Sequence, residues 1–570
     1  MLPRMSRVLL ACALLACSPP PKTKTITADD APERFDDLAV QITAHLHALD
    51  PSEAVSLGFH EYDGKLPDIS PAAVETALAQ LEKDRKALIG AEASTTRQRV
   101  ERDVLLAAVH GQLVARVDLD RLHTNPMYAL RAINLDAYIL RDYAPLVQRA
   151  RGVIELCRAL PGYLAQARAG MKLPMPRPWI DTALLITKGH LEFADKDVRA
   201  QFSATIPLAN QADIDPALDL CKQALTEHAA WLEQQQPSGT ATFALGPDKF
   251  RKMLADTQGL DIDLAKLAQI ADADLARNTK AIEDAARLIG ASRKTREVVL
   301  EQAEDKAEAS QLLELATQQT EAMRRFVEDR RIVTIPSKDV ALVRETPSFA
   351  RWNAASLNTP GAFEQTALPA FYYISPPDPK WPPAEQRAYI IPTNDLLFTT
   401  IHEVWPGHFL QRLHINKSPS KVLRSFCTYS NNEGWAHYTE EMMFDAGAGD
   451  RTPQARIGML KEALLRNVRF VAAIGLHTRG MTVDQATALF ADKGFVDPGN
   501  ARQQATRGTF DPMYLAYTLG KLMIQKLRDD WMAKHPGAAL QDFHDEFLSY
   551  GCAPVPVIRR EMLKEDSPAL

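Results

Sequence analysis

Apolar residues recur at helical spacing through most of this chain, and few architectures accommodate that pattern at such length. In AVETALAQLEKDRKALIG they fall at Val74, Leu78, Leu81 and Leu88, and Gly90 closes the segment. RQRVERDVLLAAVHGQLVARV, VIELCRALPGYLAQARAGM and LAKLAQIADADLARNTKAIEDAARLIG follow the same rule. No fixed-period repeat stands out, so the helices do not read as a solenoid. A chain of 570 residues outgrows a single core, which predicts at least two lobes. The expected fold is therefore mostly α-helical, with one lobe over about residues 30–250 and a second over about residues 251–570.

Composition narrows the class of protein. Hydrophobic residues make up 46% and charged residues 24%, ordinary values for a soluble globular body. A formal net charge of −6 gives no reason to expect nucleic acid or an anionic membrane surface as partner. Six cysteines are too few for a disulfide scaffold at this length.

The first twenty residues, MLPRMSRVLLACALLACSPP, place Arg4 and Arg7 before a short apolar run that stops at Cys17. That is a secretory signal, too short to span a bilayer. Its end, Leu14-Leu15-Ala16-Cys17, resembles a bacterial lipobox, in which the cysteine is acylated and becomes the mature N-terminus. Leu9-Leu10-Ala11-Cys12 has the same spelling but would leave too short an apolar segment. Residues 1–17 thus read as a lipoprotein signal peptide and residues 18–29 as a flexible tether, with the membrane reached by the lipid anchor only. Ser18 resembles the residue that sorts such proteins to the outer membrane, facing the periplasm. Cys157, Cys221, Cys427 and Cys552 remain in the mature body, in an oxidising compartment, and spacing does not pair them.

The helical pattern lapses between about residues 330 and 392. RRIVTIP and VALVRETP are short β-branched runs, and ALPAFYYISPPDPKWPP is an aromatic segment leading into a proline-dense loop. A small sheet is expected here, either a buried structural hairpin or a strand that offers main-chain groups to an extended peptide.

Immediately after it comes HEVWPGH, residues 402–408. Thr393 or Asn394 is placed to cap the helix that enters it, with Asp395 in the first turn and Leu397 and Ile401 on one face. Residues six apart on a straight helix point about 240° apart, so His402 and His408 could not share an ion. Pro406, however, lacks an N–H and clashes with the carbonyl of His402, and Gly407 adds conformational freedom. The helix must kink, bulge or break between Glu403 and His408, after which both imidazoles can face one point. Downstream, Asn431-Asn432-Glu433-Gly434-Trp435-Ala436-His437 opens another helix. Glu433 is the candidate third ligand. Two histidines, one glutamate and an open fourth position make a catalytic zinc arrangement, with Glu403 as general base. His437, four residues after Glu433, shares its face and stands behind the ligands or against substrate.

HEVWPGHFLQ followed by NNEGWAHYTEE resembles the bacterial family called domain of unknown function 885, whose hallmarks are H-E-x-x-P-G-H-x-x-Q and E-G-W-A. The resemblance extends through Arg469-Phe470-Val471, RGTFDPMYLAYTLGKL and DPSEAVSLGFHEYDG, and so covers most of the chain. The family is similar to helical zinc peptidases such as thimet oligopeptidase, angiotensin-converting enzyme and the thermostable carboxypeptidases. That resemblance implies a two-lobed zincin-like fold with a deep central cleft, and one Zn2+ held by His402, His408 and Glu433 with Glu403 as base.

Three further positions are candidates on their own chemistry. His477 in IGLHTRG is either a core hydrogen-bonder or a donor to a tetrahedral oxyanion. In RGTFDPMYLAYTLGKL, Asp511 and Pro512 are expected to start a helix whose Leu515, Leu519, Leu522 and Met523 form an apolar stripe. Tyr514, Tyr517 and Lys521 fall opposite, where Tyr517 is preferred to Tyr514 as oxyanion donor and Tyr514 as substrate contact. Arg507 is placed either to hold a substrate carboxylate or to make a structural ion pair. The function expected is zinc-dependent hydrolysis of short peptides, endo-, carboxy- or dipeptidase. The alternatives are metal-dependent hydrolysis of another amide or ester, and peptide binding without catalysis.

Overall fold

The computed structural model describes residues 35–203, 208–347 and 354–570; the expected signal peptide, Cys17 and the tether lie outside them. The body is mostly helical with one three-stranded sheet. Each periodic segment is a helix: Pro71–Gly90, Thr96–Leu113, Leu146–Gly170 and Leu264–Ile289. Among the described residues no helix is long and apolar enough to cross a membrane.

Buried apolar side chains fall into two clusters. One gathers residues between Met127 and Leu232 and includes Cys157 and Cys221, which form a disulfide. The larger gathers residues from Phe35 to Val114 together with residues from Phe250 onward. The first helices therefore share a core with the C-terminal ones, rather than with the segment that follows them. A second disulfide joins Cys427 to Cys552 within the larger body. All four cysteines among the described residues are thus paired, a result that spacing alone left open.

The sheet has order β1–β3–β2: β1 (Ala341–Glu345) runs parallel to β3 (Ala370–Ile374), and β2 (Ala355–Asn358) lies antiparallel on its other side. VALVRE and the aromatic segment are strands as expected. RRIVTIP is not, and β2 comes from ASLN, a sequence with little strand propensity. The Tyr372 hydroxyl on β3 lies 3.2 Å from Thr400 Oγ1, which fastens the sheet to the helix carrying His402.

Six helices surround that residue: α1 (Thr393–Glu403), α2 (His408–Lys417), α3 (Tyr429–Ala446), α4 (Pro453–Thr478), α5 (Pro498–Phe510) and α6 (Ala516–Lys534). Neither Thr393 nor Asn394 caps α1. The chain enters from Pro392, the Thr393 N–H donates to the Asp305 carbonyl at 2.7 Å, and Asp395 is drawn into an ion pair with Lys461. Nor does Asp511 cap α6. Its carboxylate accepts from Arg507 instead, and a short 3-10 turn, Pro512–Leu515, precedes the helix.

Candidate metal centre

The proline and glycine of HEVWPGH break the helix outright. α1 stops at Glu403, residues 404–407 turn, and α2 starts at His408. The Val404 N–H still reaches the Thr400 carbonyl at 2.8 Å, and the Gly407 N–H folds back to that of Ile401 at 3.0 Å. Any Cβ on Gly407 would collide with the His402 carbonyl, so glycine is required by close approach. The turn brings the two imidazoles to a centroid separation of 4.8 Å, nearly perpendicular to one another.

Glu433 arrives from α3. Its Oε2 lies 3.5 Å from His402 Nε2 and 3.4 Å from His408 Nε2, and the three candidate ligand atoms all fall within 4.8 Å of one another. Donors at tetrahedral corners about 2.0–2.2 Å from a zinc ion stand about 3.4 Å apart, so the spacing suits that ion. His402 Nδ1 donates to Glu440 Oε1 at 2.6 Å, which leaves its Nε2 turned toward the shared point. Burial and the Arg466 charge disfavour a positive His402, yet hydrogen bonds to Glu433 and Glu440 raise it to about 9. Burial likewise pushes Glu433 up, while the imidazoles of His408 and His402 hold it well below the usual carboxylate range. The cluster is thus electrostatically arranged to accept a cation.

Glycine also sets the position of Glu433. Where α3 crosses α6, a Cβ on Gly434 would lie 2.5 Å from the Gly520 Cα, and one on Gly520 would strike the Ser430 carbonyl. The two backbones touch there, which lays Tyr517 of α6 beside the ligands. Its ring is 6.4 Å from that of His402 and 5.9 Å from that of Tyr429. Two residues on from Glu433, Trp435 Nε1 donates to the Pro406 carbonyl at 2.9 Å.

Glu403, the candidate base, is half-buried at the end of α1, and its Oε2 accepts from the Leu357 N–H of β2 at 3.0 Å. Ser375 donates to the Ala354 carbonyl across the β2–β3 pair. By the alternation of an antiparallel ladder, the main-chain groups of Ala355 and Leu357 then face away from β3, toward Glu403.

The remaining candidates divide. Tyr517 joins the site. Arg507 stands near it but is occupied, donating to Asp511 Oδ2 at 3.0 Å and to the Tyr429 hydroxyl at 2.9 Å. His437 is buried, and its Nδ1 donates to Glu440 Oε2 at 3.2 Å; it acts through that carboxylate and does not line a substrate surface. Tyr514 is fully buried against Gly508 and Leu476 rather than facing a cleft. His477 does not join the ligands. It is a core residue packed near Phe243 and Phe250, and its Nε2 donates to the Gly508 carbonyl at 2.7 Å. Burial lowers it to about 4.

Two residues packed against the candidate ligands went unrecognised in the sequence. Glu440 orients His402, and Arg466 of α4 lies 3.4 Å from it while bonding Glu462 at 2.7 Å. Glu440 stands at i+7 from Glu433 and i+3 from His437, one stripe of α3, so its face was legible even though its partner was not. Nothing local marks Arg466.

Residues 51–562 match the family described as Bacterial protein of unknown function (DUF885). No curated protein matches the chain. Among solved structures, a candidate lipoprotein of unknown function from Shewanella oneidensis superposes with a TM-score of 0.79 at 24% identity, covering 93% of this chain and 99% of its own. A candidate lipoprotein from Colwellia psychrerythraea gives 0.78 at 16% identity, with 95% and 99% covered. The fold is shared with both.

Proposed function

The chain belongs to the DUF885 family, and on that premise we propose that it is a zinc-dependent metallopeptidase acting on short peptides in the bacterial cell envelope. The observation that carries this reading is the convergence of His402, His408 and Glu433 with Glu403 alongside. When bound, a zinc ion would polarise a carbonyl and make water easier to deprotonate. Glu403 would take the proton from the attacking water and return it to the departing amine. Tyr517, whose ring lies 6.4 Å from that of His402, would donate its hydroxyl to the developing oxyanion, a contribution of up to a few kcal/mol. The outward main-chain groups of Ala355 and the Leu357 carbonyl, beside the Leu357 N–H already held by Glu403, suit an extended peptide laid along this edge, which favours peptides over simple esters.

The lipobox ending at Cys17, together with the lipoprotein descriptions of the two structural neighbours, supports a lipid-anchored location, with the outer membrane as the proposed address. The decisive experiment combines metal analysis with cleavage of a peptide library by wild type and Glu403→Gln. One zinc per chain in both proteins is expected, with kcat lower by roughly 10²- to 10⁴-fold in the variant. Undiminished cleavage by Glu403→Gln would sink the mechanism. A metal-free, inactive wild type would sink the assignment.

A further inference from the structure

Three arginines lie around Tyr517, and they are not equivalent. Arg466 meets Glu440 and Glu462, and Arg507 meets Asp511. Arg469, one turn beyond Arg466 on α4, makes no ion pair among the described residues. Its one hydrogen bond runs from Nε to the neutral Gln504 Oε1 at 2.9 Å. The residue is only 8% exposed, and its two terminal nitrogens make no hydrogen bond with any described residue. Its guanidinium carbon stands 4.9 Å from the Tyr517 ring centroid. Burial pulls its pKa below the ordinary guanidinium value, Tyr517 opposes this, and Arg507 and Arg466 add to it.

A buried cation without a counter-charge is costly, and the vacant edge of this one is a planar fork matched to a carboxylate. Two steps separate it from the ligands: 4.9 Å to the Tyr517 ring and 6.4 Å from there to the His402 ring. Extended chain spans about 3.3–3.6 Å per residue, so one to three residues cover the distance. We infer that Arg469 receives a carboxylate of the substrate, namely the free C-terminus of a peptide cut one to three residues from its end. This rests on the peptidase reading above and deepens it: the enzyme would release short C-terminal fragments rather than cut within long chains.

The test uses the mature, zinc-loaded protein with three matched peptides: a free acid, its C-terminal amide, and an amide whose last residue is Glu. Binding is read by calorimetry in the Glu403→Gln background and cleavage in the wild type. The free acid should bind roughly 10- to 100-fold tighter than the amide, with the difference in cleavage appearing in KM. Adding Arg469→Gln should abolish the discrimination, and Arg469→Lys should restore part of it. Arg469-dependent binding of the Glu amide would assign the carboxylate to a side chain instead of the terminus. Equal binding of acid and amide by the Glu403→Gln protein overturns the inference, even if Arg469→Gln proves unfoldable. So does discrimination that survives in Arg469→Gln, or no binding of any peptide. Arg469-dependent binding without any cleavage would uphold the carboxylate site and defeat the peptidase reading, so the two fail separately.

Discussion

Trp435 Nε1 donates to the Pro406 carbonyl at 2.9 Å, a bond between the two sequence motifs that carry the candidate metal ligands. The turn that unites His402 with His408 is thereby fixed to the helix that delivers Glu433. Trp435 is itself held by stacking on Phe547, at a centroid distance of 5.6 Å.

Trp435→Phe keeps most of the ring volume and removes the donor. Leaving the Pro406 carbonyl unpaired should cost about 1–3 kcal/mol of stability, measured by denaturant unfolding. Zinc affinity, measured by chelator competition, should fall by roughly tenfold or more. An unchanged affinity would show that the turn holds itself.

The crossing of α3 and α6 leaves no room for a methyl group at Gly434 or Gly520. Alanine at either position should cost about 3 kcal/mol or more. Gly162 and Gly189 provide the contrast: both are helical, and a Cβ on either would meet nothing within 4 Å. Alanine there should be neutral or stabilising by up to about 1 kcal/mol. Thermal melts of the four variants check both halves of the argument.

Glu440 accepts from His402 and His437 and pairs with Arg466. Glu440→Gln should weaken zinc binding by roughly 10- to 100-fold, whereas Glu403→Gln should leave zinc binding nearly unchanged. Metal titration of the apoproteins distinguishes a residue that orients a ligand from one that moves a proton.

His60 lies between Asp63 and Glu364, with its ring stacked 3.6 Å from that of Tyr143. Burial favours the neutral ring, but the hydrogen bonds to Asp63 and Glu364 raise it to about 9 from a model-peptide 6.5. A raised value means stabilisation that is complete below about pH 6.5 and is lost as pH rises through about 9. The melting temperature of wild type should therefore decline across that window more steeply than that of His60→Gln. Parallel slopes would contradict it.

Much of this was legible because the signals are local. Pro406 and Gly407 announce a broken helix by their own stereochemistry, and Glu433 follows after only two short helices, His408–Lys417 and Lys421–Ser425. His477 and Tyr514 show where such reasoning ends. Helical phase tells which residues share a face, but not whether that face meets a cleft or another helix. α4 and the 3-10 turn before α6 are wrapped by apolar neighbours, so these two polar side chains are enclosed in the core. β2 was illegible for a different reason: ASLN becomes a strand by pairing with AFYYI, a non-local partner that its own residues do not suggest. Arg469 was visible only as part of a helical stretch. Its lack of a counter-charge is a property of three helices together.

The Cys427–Cys552 disulfide sits two residues before α3, and the Thr428 N–H donates to the Cys552 carbonyl at 3.0 Å. Asn431 Nδ2, inside the first turn of α3, donates to the Ala553 carbonyl at 2.7 Å. The root of the helix bearing Glu433 is therefore seated on residues near the C-terminal end of the chain. A ribosome delivers those residues after all three candidate ligands. A nascent or stalled polypeptide already carries His402, His408 and Glu433, yet lacks the anchor that seats the third of them. On the proposed reading, the site is complete only once Cys552 and Ala553 have joined the fold and seated the helix that bears Glu433.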